Sequence, residues 1–158
     1  MTNVRHARHP PEGWVAPSPE QLANTLRLLE AWNRGEYETW IEGFATVCEW
    51  YPSTVGGVEG GSKAIRGHEE LRAFVRESDE VWELFRVDAD EVLRRGNLRL
   101  LIGRVRARGR LSGVETETPM FWITEQDERW RTVWNRSYLD LDEALVAAAE
   151  REAGGGPA

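Results

Sequence analysis

The chain has 158 residues, a formal net charge of −7 and one cysteine. This length suits a single domain with its own hydrophobic core, and the 41% of hydrophobic residues excludes a wholly disordered chain. The negative charge argues against a nucleic-acid partner. The lone cysteine forms no intrachain disulfide, and the sequence shows neither a signal-peptide core nor an apolar run of membrane-spanning length. We therefore expect a cytoplasmic protein without a membrane partner.

The first predicted element is a helix that begins after Ser18. Ser18 suits the N-cap, Pro19 the first helical position, and Gln21 completes a capping box. Apolar residues at spacings of three and four predict its buried face: Leu22, Leu26, Leu29 and Trp32. Residues 1–17, which show little periodicity, are interpreted as a flexible N-terminal arm, with the alternative that Trp14 folds back onto the domain.

Gly35 is predicted to end this helix, and a short second helix with Trp40 and Ile41 follows. A strand near 47–51 then leads to a glycine-rich loop, 53–63, which lacks the lysine-serine pattern of a phosphate-binding loop. The next helix is predicted to face inward with Leu71, Phe74, Val75 and Trp82.

The second half of the chain is predicted to form antiparallel strands with tight turns. The strands lie near 85–94, 98–111, 114–125 and 130–139. If Ser112-Gly113 is a two-residue loop, Arg110 faces Glu115 and Arg108 faces Glu117. The arginine-rich stretch 94–110 is then at least half explained by ion pairs across a hairpin rather than by a nucleic-acid surface.

The same pairing places Arg104 opposite Phe121, and we expect this face of the sheet to meet the helices. A two-residue turn at Gly96-Asn97 puts Ala89 beside Arg104, with Glu91 diagonal to it. A buried carboxylate and a buried guanidinium need each other. Two interpretations are open: the pair is the polar floor of a cavity, or it is a structural salt bridge.

The opposite face of the sheet is also apolar. It carries Val105, Ala107, Met120 and Trp122. An apolar sheet face without a covering element is typical of a subunit interface. We therefore predict a homodimer through the outer sheet face, and a module that binds another protein through this face is a further possibility.

In this order, the elements resemble the SnoaL-like branch of the nuclear transport factor 2-like superfamily. The resemblance covers about 18–149 and is carried by four segments: 30–36, 47–52, 65–74 and 137–145. It implies an α+β cone, in which a strongly curved, mainly antiparallel sheet wraps around the N-terminal helices and leaves an open-ended pocket. The domain is expected at 18–150, followed by a disordered tail at 151–158.

The resemblance also allows tests of known activities. Steroid isomerases of this fold use a tyrosine, a carboxylate base and a late acid, whose positions match Leu28, Tyr51 and Phe121 here. The base is missing, and proton abstraction next to a carbonyl needs one.

Epoxide hydrolases of the fold use an arginine between two carboxylates, and these positions match Arg104, Arg106 and Ser137. Both carboxylates are missing, so this set is also incomplete. Fold alone does not decide the activity.

The predicted function is therefore a pocket for an apolar or polycyclic molecule, with no cofactor and no metal. The expected lining is Trp32, Trp50, Tyr51, Glu91, Arg104, Arg106, Phe121 and Ser137. The alternative is an enzyme of the polyketide cyclase, isomerase or hydrolase type. It would use Glu91, Arg104 and Tyr51 as acid–base and orienting groups.

Overall fold

The computed structural model describes residues 10–52 and 64–154, which form four helices and one six-stranded sheet. The elements are α1 (Pro19–Asn33), α2 (Tyr37–Glu42), β1 (Phe44–Tyr51), β2 (Ile65–Arg66), α3 (Gly67–Val81), β3 (Trp82–Arg95), β4 (Leu98–Gly109), β5 (Glu115–Gln126), β6 (Thr132–Tyr138) and α4 (Leu141–Ala153). The sheet order is β2-β1-β6-β5-β4-β3, antiparallel except between β1 and β6. The predicted α+β class is confirmed. The glycine-rich loop 53–63 lies outside the described residues.

The ends of α1 follow the predicted local signals. The Ser18 hydroxyl accepts a hydrogen bond from the backbone N–H of Gln21 at 3.1 Å, and Gly35 adopts a left-handed φ of 75° just after the helix. The predicted buried face is wrong in part, because the buried residues of α1 are Gln21, Thr25, Leu28, Ala31 and Trp32. Two of these are polar and are buried because they find hydrogen-bond partners on the sheet.

Hydrogen bonds from α1 reach the backbone of β3, the edge strand of the sheet. The Asn33 side chain donates to the carbonyl of Val87 at 2.8 Å and accepts from the Val87 N–H at 2.9 Å. The indole N–H of Trp32 donates to the carbonyl of Phe85 at 3.0 Å. These bonds cover part of an open sheet edge and hold α1 over one face of the sheet.

That face, which we call the inner face, packs against α1 and α3. Its core contains Trp32, Val75, Val87, Val105, Ala107 and Met120. The expectation that Val105, Ala107 and Met120 face a partner subunit is therefore wrong, because the chain's own helices cover them. The prediction of a homodimer is therefore no longer supported by this apolar face, and it stays untested.

The other side of the sheet, the outer face, packs at one end against α4 and Trp14. This second core contains Trp14, Leu93, Leu98, Leu100, Ile123, Trp134, Ala144 and Ala148. Trp14 is 4% exposed, and Val15 exchanges two backbone hydrogen bonds with Arg94. Residues 14–15 are therefore part of the packed structure rather than of a flexible arm. The expected tail is corrected as well, because α4 continues to Ala153.

The hairpin between β4 and β5 has a longer loop than predicted. Arg108 pairs with Glu115 and Arg104 with Pro119, because residues 110–113 form the loop. This register differs from the predicted one by two residues, so every side chain keeps its face of the sheet. The error in the prediction lies in which face meets the helices.

A β-bulge changes the facing of side chains along β3. Arg95 pairs with Leu98 across the predicted turn, but the register shifts by one between Glu91 and Ala89. The bulge leaves Ala89 and Val92 in the core against α1. Strict alternation along this strand is therefore broken near Asp90, and no residue count from the turn anticipates it.

Candidate functional site

A cavity of about 550 Å³ lies between the helices and the inner face of the sheet. Its volume is within the range of about 300–1,000 Å³ typical of small-molecule sites. Side chains from α1, α2, α3 and all six strands line it. The cavity is thus formed where the sheet curls around the helices.

Five aromatic side chains form one continuous wall of the cavity. We call this the aromatic wall, and it contains Trp32, Trp40, Phe44, Trp50 and Phe74. Ring centroids lie 4.8 Å apart for Trp32 and Trp40 and 4.7 Å apart for Trp50 and Phe74. Tilted and edge-to-face contacts of this kind fix the rings against each other. The wall therefore offers a preformed apolar surface.

Four buried polar side chains meet at one part of the cavity. We call this cluster the polar end, and it contains Thr25, Arg99, Thr124 and Asn135. Arg99 donates from Nη1 to the Thr25 hydroxyl at 3.1 Å and from Nη2 to the Thr124 hydroxyl at 3.0 Å. Asn135 donates from Nδ2 to the same Thr124 hydroxyl at 2.6 Å. Of the four, Thr25, Arg99 and Asn135 line the cavity.

Arg99 is a buried cation that lacks a carboxylate partner within the described ranges. Its relative exposure is 9%, and burial lowers the pKa of its guanidinium to about 10. Two buried atoms of the cluster, Arg99 Nε and Asn135 Oδ1, have no hydrogen-bond partner among the described residues. The polar end is therefore charged and incompletely satisfied.

The more exposed part of the lining has the opposite charge. Glu70 and Glu77 of α3 are exposed and contribute to the lining of the cavity. Carboxylates thus lie toward the solvent side, whereas the only basic residue of the described lining lies inside.

Of the side chains predicted to line the pocket, Trp32 and Trp50 belong to the aromatic wall. Arg104 does not reach the cavity: it lies on the outer face, donates to Asp90 at 3.2 Å and Glu117 at 2.8 Å, and is 47% exposed. The hydrogen bond to Asp90, together with Glu117, raises the pKa of Arg104. The expected pairing of Arg104 with Glu91 is wrong. Because of the β-bulge between Ala89 and Glu91, the carboxylate of β3 that Arg104 contacts is that of Asp90.

Four further residues predicted to line the pocket do not line it, because α1 and α3 cover the other face of the sheet. Arg106 is exposed on the outer face, and Phe121 packs against the core beneath α4. Glu91 pairs with Ile102 across the ladder and is absent from the cavity lining. The Tyr51 hydroxyl donates to Glu49 at 3.0 Å, and its ring contacts Trp134 of the outer core.

Ser137 is the remaining predicted residue. It lies across from Trp122, an inner-face residue that lines the cavity. Ser137 itself is not among the lining side chains. The structure therefore does not bring the three predicted catalytic candidates, Glu91, Arg104 and Tyr51, into one site.

The sequence analysis did not identify Thr25, Arg99 or Asn135. One signal was present: Arg99 interrupts the apolar run Leu98–Leu101 in a predicted strand. Thr25 gave a weaker signal, since a polar residue in a helix is usually assigned to the solvent side. Nothing in the local sequence of Asn135 distinguishes it from an exposed strand residue.

The described residues contain no group of three or more histidine, cysteine, aspartate or glutamate side chains placed to hold a metal ion. Across those same ranges, the helices are too short or too polar to span a lipid bilayer.

Comparisons with known proteins agree on the fold. The SnoaL-like domain matches residues 25–142. An NTF2-like protein of unknown function from Burkholderia pseudomallei is 19% identical with a TM-score of 0.66, and the match covers 80% of this chain and 95% of that one. A Catenulispora acidiphila protein with a ketosteroid isomerase-like fold, in complex with trimethylamine, is 14% identical with a TM-score of 0.64, covering 84% and 95%.

A third similar structure is that of RV0760c from Mycobacterium tuberculosis in complex with estradiol-17β-hemisuccinate. It is 16% identical with a TM-score of 0.62, and the match covers 77% of this chain and 95% of that one. No curated protein matches the chain. At these identities the solved structures establish the fold alone. Because the domain match spans most of the sequence, the chain belongs to the SnoaL-like family.

Proposed function

We propose that the chain binds a small, largely apolar molecule in the cavity between the helices and the inner face. The observation that carries this proposal is a preformed space of about 550 Å³ with the aromatic wall along one side. Rigid aromatic rings next to a few polar groups are typical of sites for flat, apolar ligands. Two structures of the same fold that hold small molecules, trimethylamine and estradiol-17β-hemisuccinate, support the proposal.

The enzymatic alternative has less support. Its candidates were Glu91, Arg104 and Tyr51, and none of these side chains lines the cavity. The carboxylates that do, Glu70 and Glu77, lie at the exposed part of the lining. Binding is therefore the function that the geometry supports best.

A cavity-filling variant tests the proposal. Ala73 of α3 lines the cavity, so Ala73→Phe places a ring inside the space that a ligand needs. With estradiol as a neutral polycyclic probe, we expect saturable quenching of tryptophan fluorescence in the wild type and a loss of about tenfold or more in affinity in the variant.

The matched control is Ala149→Phe, the same change at an exposed position of α4. It should leave the affinity for estradiol unchanged. Equal affinity of both variants and the wild type would show that binding occurs elsewhere, and an absence of saturable binding by any flat polycyclic probe would contradict the proposal.

A further inference from the structure

The charge of Arg99 is balanced differently from that of other arginines in the fold. Arg104 and Arg108 contact carboxylates although both are well exposed, and Arg151 contacts the buried Glu125 at 3.1 Å. Arg99 is more deeply buried than Arg104 or Arg108, yet it contacts two threonine hydroxyls and no carboxylate of the described residues. A buried cation is costly unless an anion or several hydrogen bonds compensate it.

We propose that the ligand carries a carboxylate, which binds the Arg99 guanidinium at the polar end while the apolar body lies against the aromatic wall. This inference rests on the proposed function, because it assigns the chemical class of the ligand of the same cavity. The ligand is then a flat, apolar carboxylic acid in its ionised form.

The guanidinium has donors available for such a group. Each terminal nitrogen carries two hydrogens, and the two threonine hydroxyls each take one of them. One N–H on Nη1, one on Nη2 and the N–H on Nε therefore remain, and adjacent N–H groups of a guanidinium match the two oxygens of a carboxylate. Because the threonines hold Nη1 and Nη2, the fork is oriented before a ligand binds.

Asn135 extends the polar end beside Arg99. Its Nδ2 donates to the Thr124 hydroxyl, and its buried Oδ1 has no partner among the described residues. Turning the amide by 180° lets the Thr124 hydroxyl donate to Oδ1 and brings an N–H to the place that Oδ1 held. The Asn135 amide can therefore change its hydrogen bonds within the cluster without any movement of the backbone.

The charges around the cavity favour a carboxylate over a phosphate. Arg99 is the single basic residue of the described lining, and one cation compensates one negative charge. The chain as a whole carries a net charge of −7, so long-range electrostatics do not attract anions. Selectivity for an anion must therefore come from Arg99 itself.

The test compares two probes of the same shape, 2-naphthoate and 2-naphthamide, which differ in charge at the polar group. Affinities are measured by quenching of tryptophan fluorescence at pH 7.5. We expect the wild type to bind the carboxylate at least about tenfold more tightly than the amide. Arg99→Met should remove this preference while keeping the affinity for the amide within about threefold of the wild type.

The matched control is Arg104→Met, which makes the same substitution and the same charge change on the outer face of β4. It should retain the wild-type preference. If the wild type binds the two probes equally, the polar end does not select a carboxylate. The carboxylate inference is then overturned, while the proposed function stands. If neither probe binds, the carboxylate inference is overturned, and the estradiol measurement decides whether the proposed function fails as well.

One further outcome completes the test. An unchanged preference in Arg99→Met would place the anion elsewhere and overturn the inference. The wild-type comparison needs no variant, so it decides between anion and neutral ligand even if Arg99→Met does not fold. Circular dichroism melts of both variants report whether their folds are intact.

Discussion

Arg99 and Arg104 lie on the same strand, five positions apart, and have opposite surroundings. Arg104 is on the outer face, in solvent, between two carboxylates at 2.8 and 3.2 Å. Arg99 is on the inner face, buried, and its guanidinium hydrogen-bonds to hydroxyl groups. Ion pairs of exposed side chains contribute little to stability, whereas a buried charge without a counterion is costly. The two residues therefore differ in how their charge is balanced: exposed carboxylates pair with Arg104, whereas we propose that a ligand pairs with Arg99.

Gly103 is the glycine of β4 at which the strand packs most closely against β3. It lies between the arginines on β4 and pairs with Ala89 where the β-bulge shifts the register of β3. A Cβ at Gly103 would overlap the backbone carbonyl oxygen of Asp88 and lie 3.2 Å from the Ala89 Cα. Both contacts are with backbone atoms, which do not move aside as a flexible side chain does.

The largest effect is expected for Gly103→Ala. The variant should lower the free energy of unfolding by about 3 kcal/mol, because β3 and β4 must separate locally to admit the methyl group. Urea denaturation monitored by circular dichroism measures this. Gly154→Ala is the control, since its Cβ would lie 3.4 Å from the nearest atom, and it should change stability by less than about 0.5 kcal/mol. Equal stability of the two variants would show that the strands tolerate a side chain at the bulge.

The next effect concerns Thr124, whose hydroxyl accepts hydrogen bonds from both Arg99 and Asn135. Thr124→Val keeps the shape but leaves these two buried donors unsatisfied, so we expect a loss of about 2 kcal/mol in unfolding free energy. Thr118→Val makes the same change on the same strand at a half-buried position and should cost less than about 0.5 kcal/mol. A Thr124→Val protein as stable as Thr118→Val would mean that water replaces the lost hydroxyl.

The smallest effect has the opposite sign. Without ligand, Arg99→Met should raise the free energy of unfolding by about 1 kcal/mol, because it removes a buried charge and leaves an apolar chain of similar length. Arg104→Met, on the exposed side, should lower it by at most about 1 kcal/mol, and less at high salt. Denaturation of both variants in the same buffer measures the contrast.

The pH dependence of the stability of Arg99→Met gives an independent check on the buried charge. Burial lowers the pKa of Arg99 from its ordinary value in the unfolded chain to about 10, so the unfolded chain holds this proton more tightly than the folded one. Between these two values the wild type gains stability as pH rises, because the folded state releases the proton. The stability difference between Arg99→Met and the wild type should thus be constant below pH 10 and shrink above it. A difference that is independent of pH up to 11 would contradict the buried, uncompensated charge.

Much of the fold could be predicted because its signals are local. Ser18 and Gly35 mark the ends of α1 through hydrogen bonding and backbone geometry that involve only neighbouring residues. The turn at Gly96-Asn97 likewise sets the first pairs between β3 and β4. These features depend on short stretches of chain, and the resemblance to a known family added the overall arrangement.

The site could not be predicted in the same way. Both faces of β4 carry apolar residues and arginines, so alternation alone does not say which face the helices cover. Buried polar residues such as Gln21 and Thr25 look like surface residues until their partners on other elements are known. The β-bulge near Asp90 also depends on the packing of two strands rather than on a residue pattern.

The amino-acid sequence by itself determined the class of fold, the caps of α1 and the alternation along the strands, because each depends on groups that are close along the chain. Tertiary structure alone decided that Arg99 faces the cavity and Arg104 faces solvent. The physical reason is that burial depends on which helix covers which face. Here α1 and α3 cover the side of the sheet that carries Arg99, while α4 packs on the other.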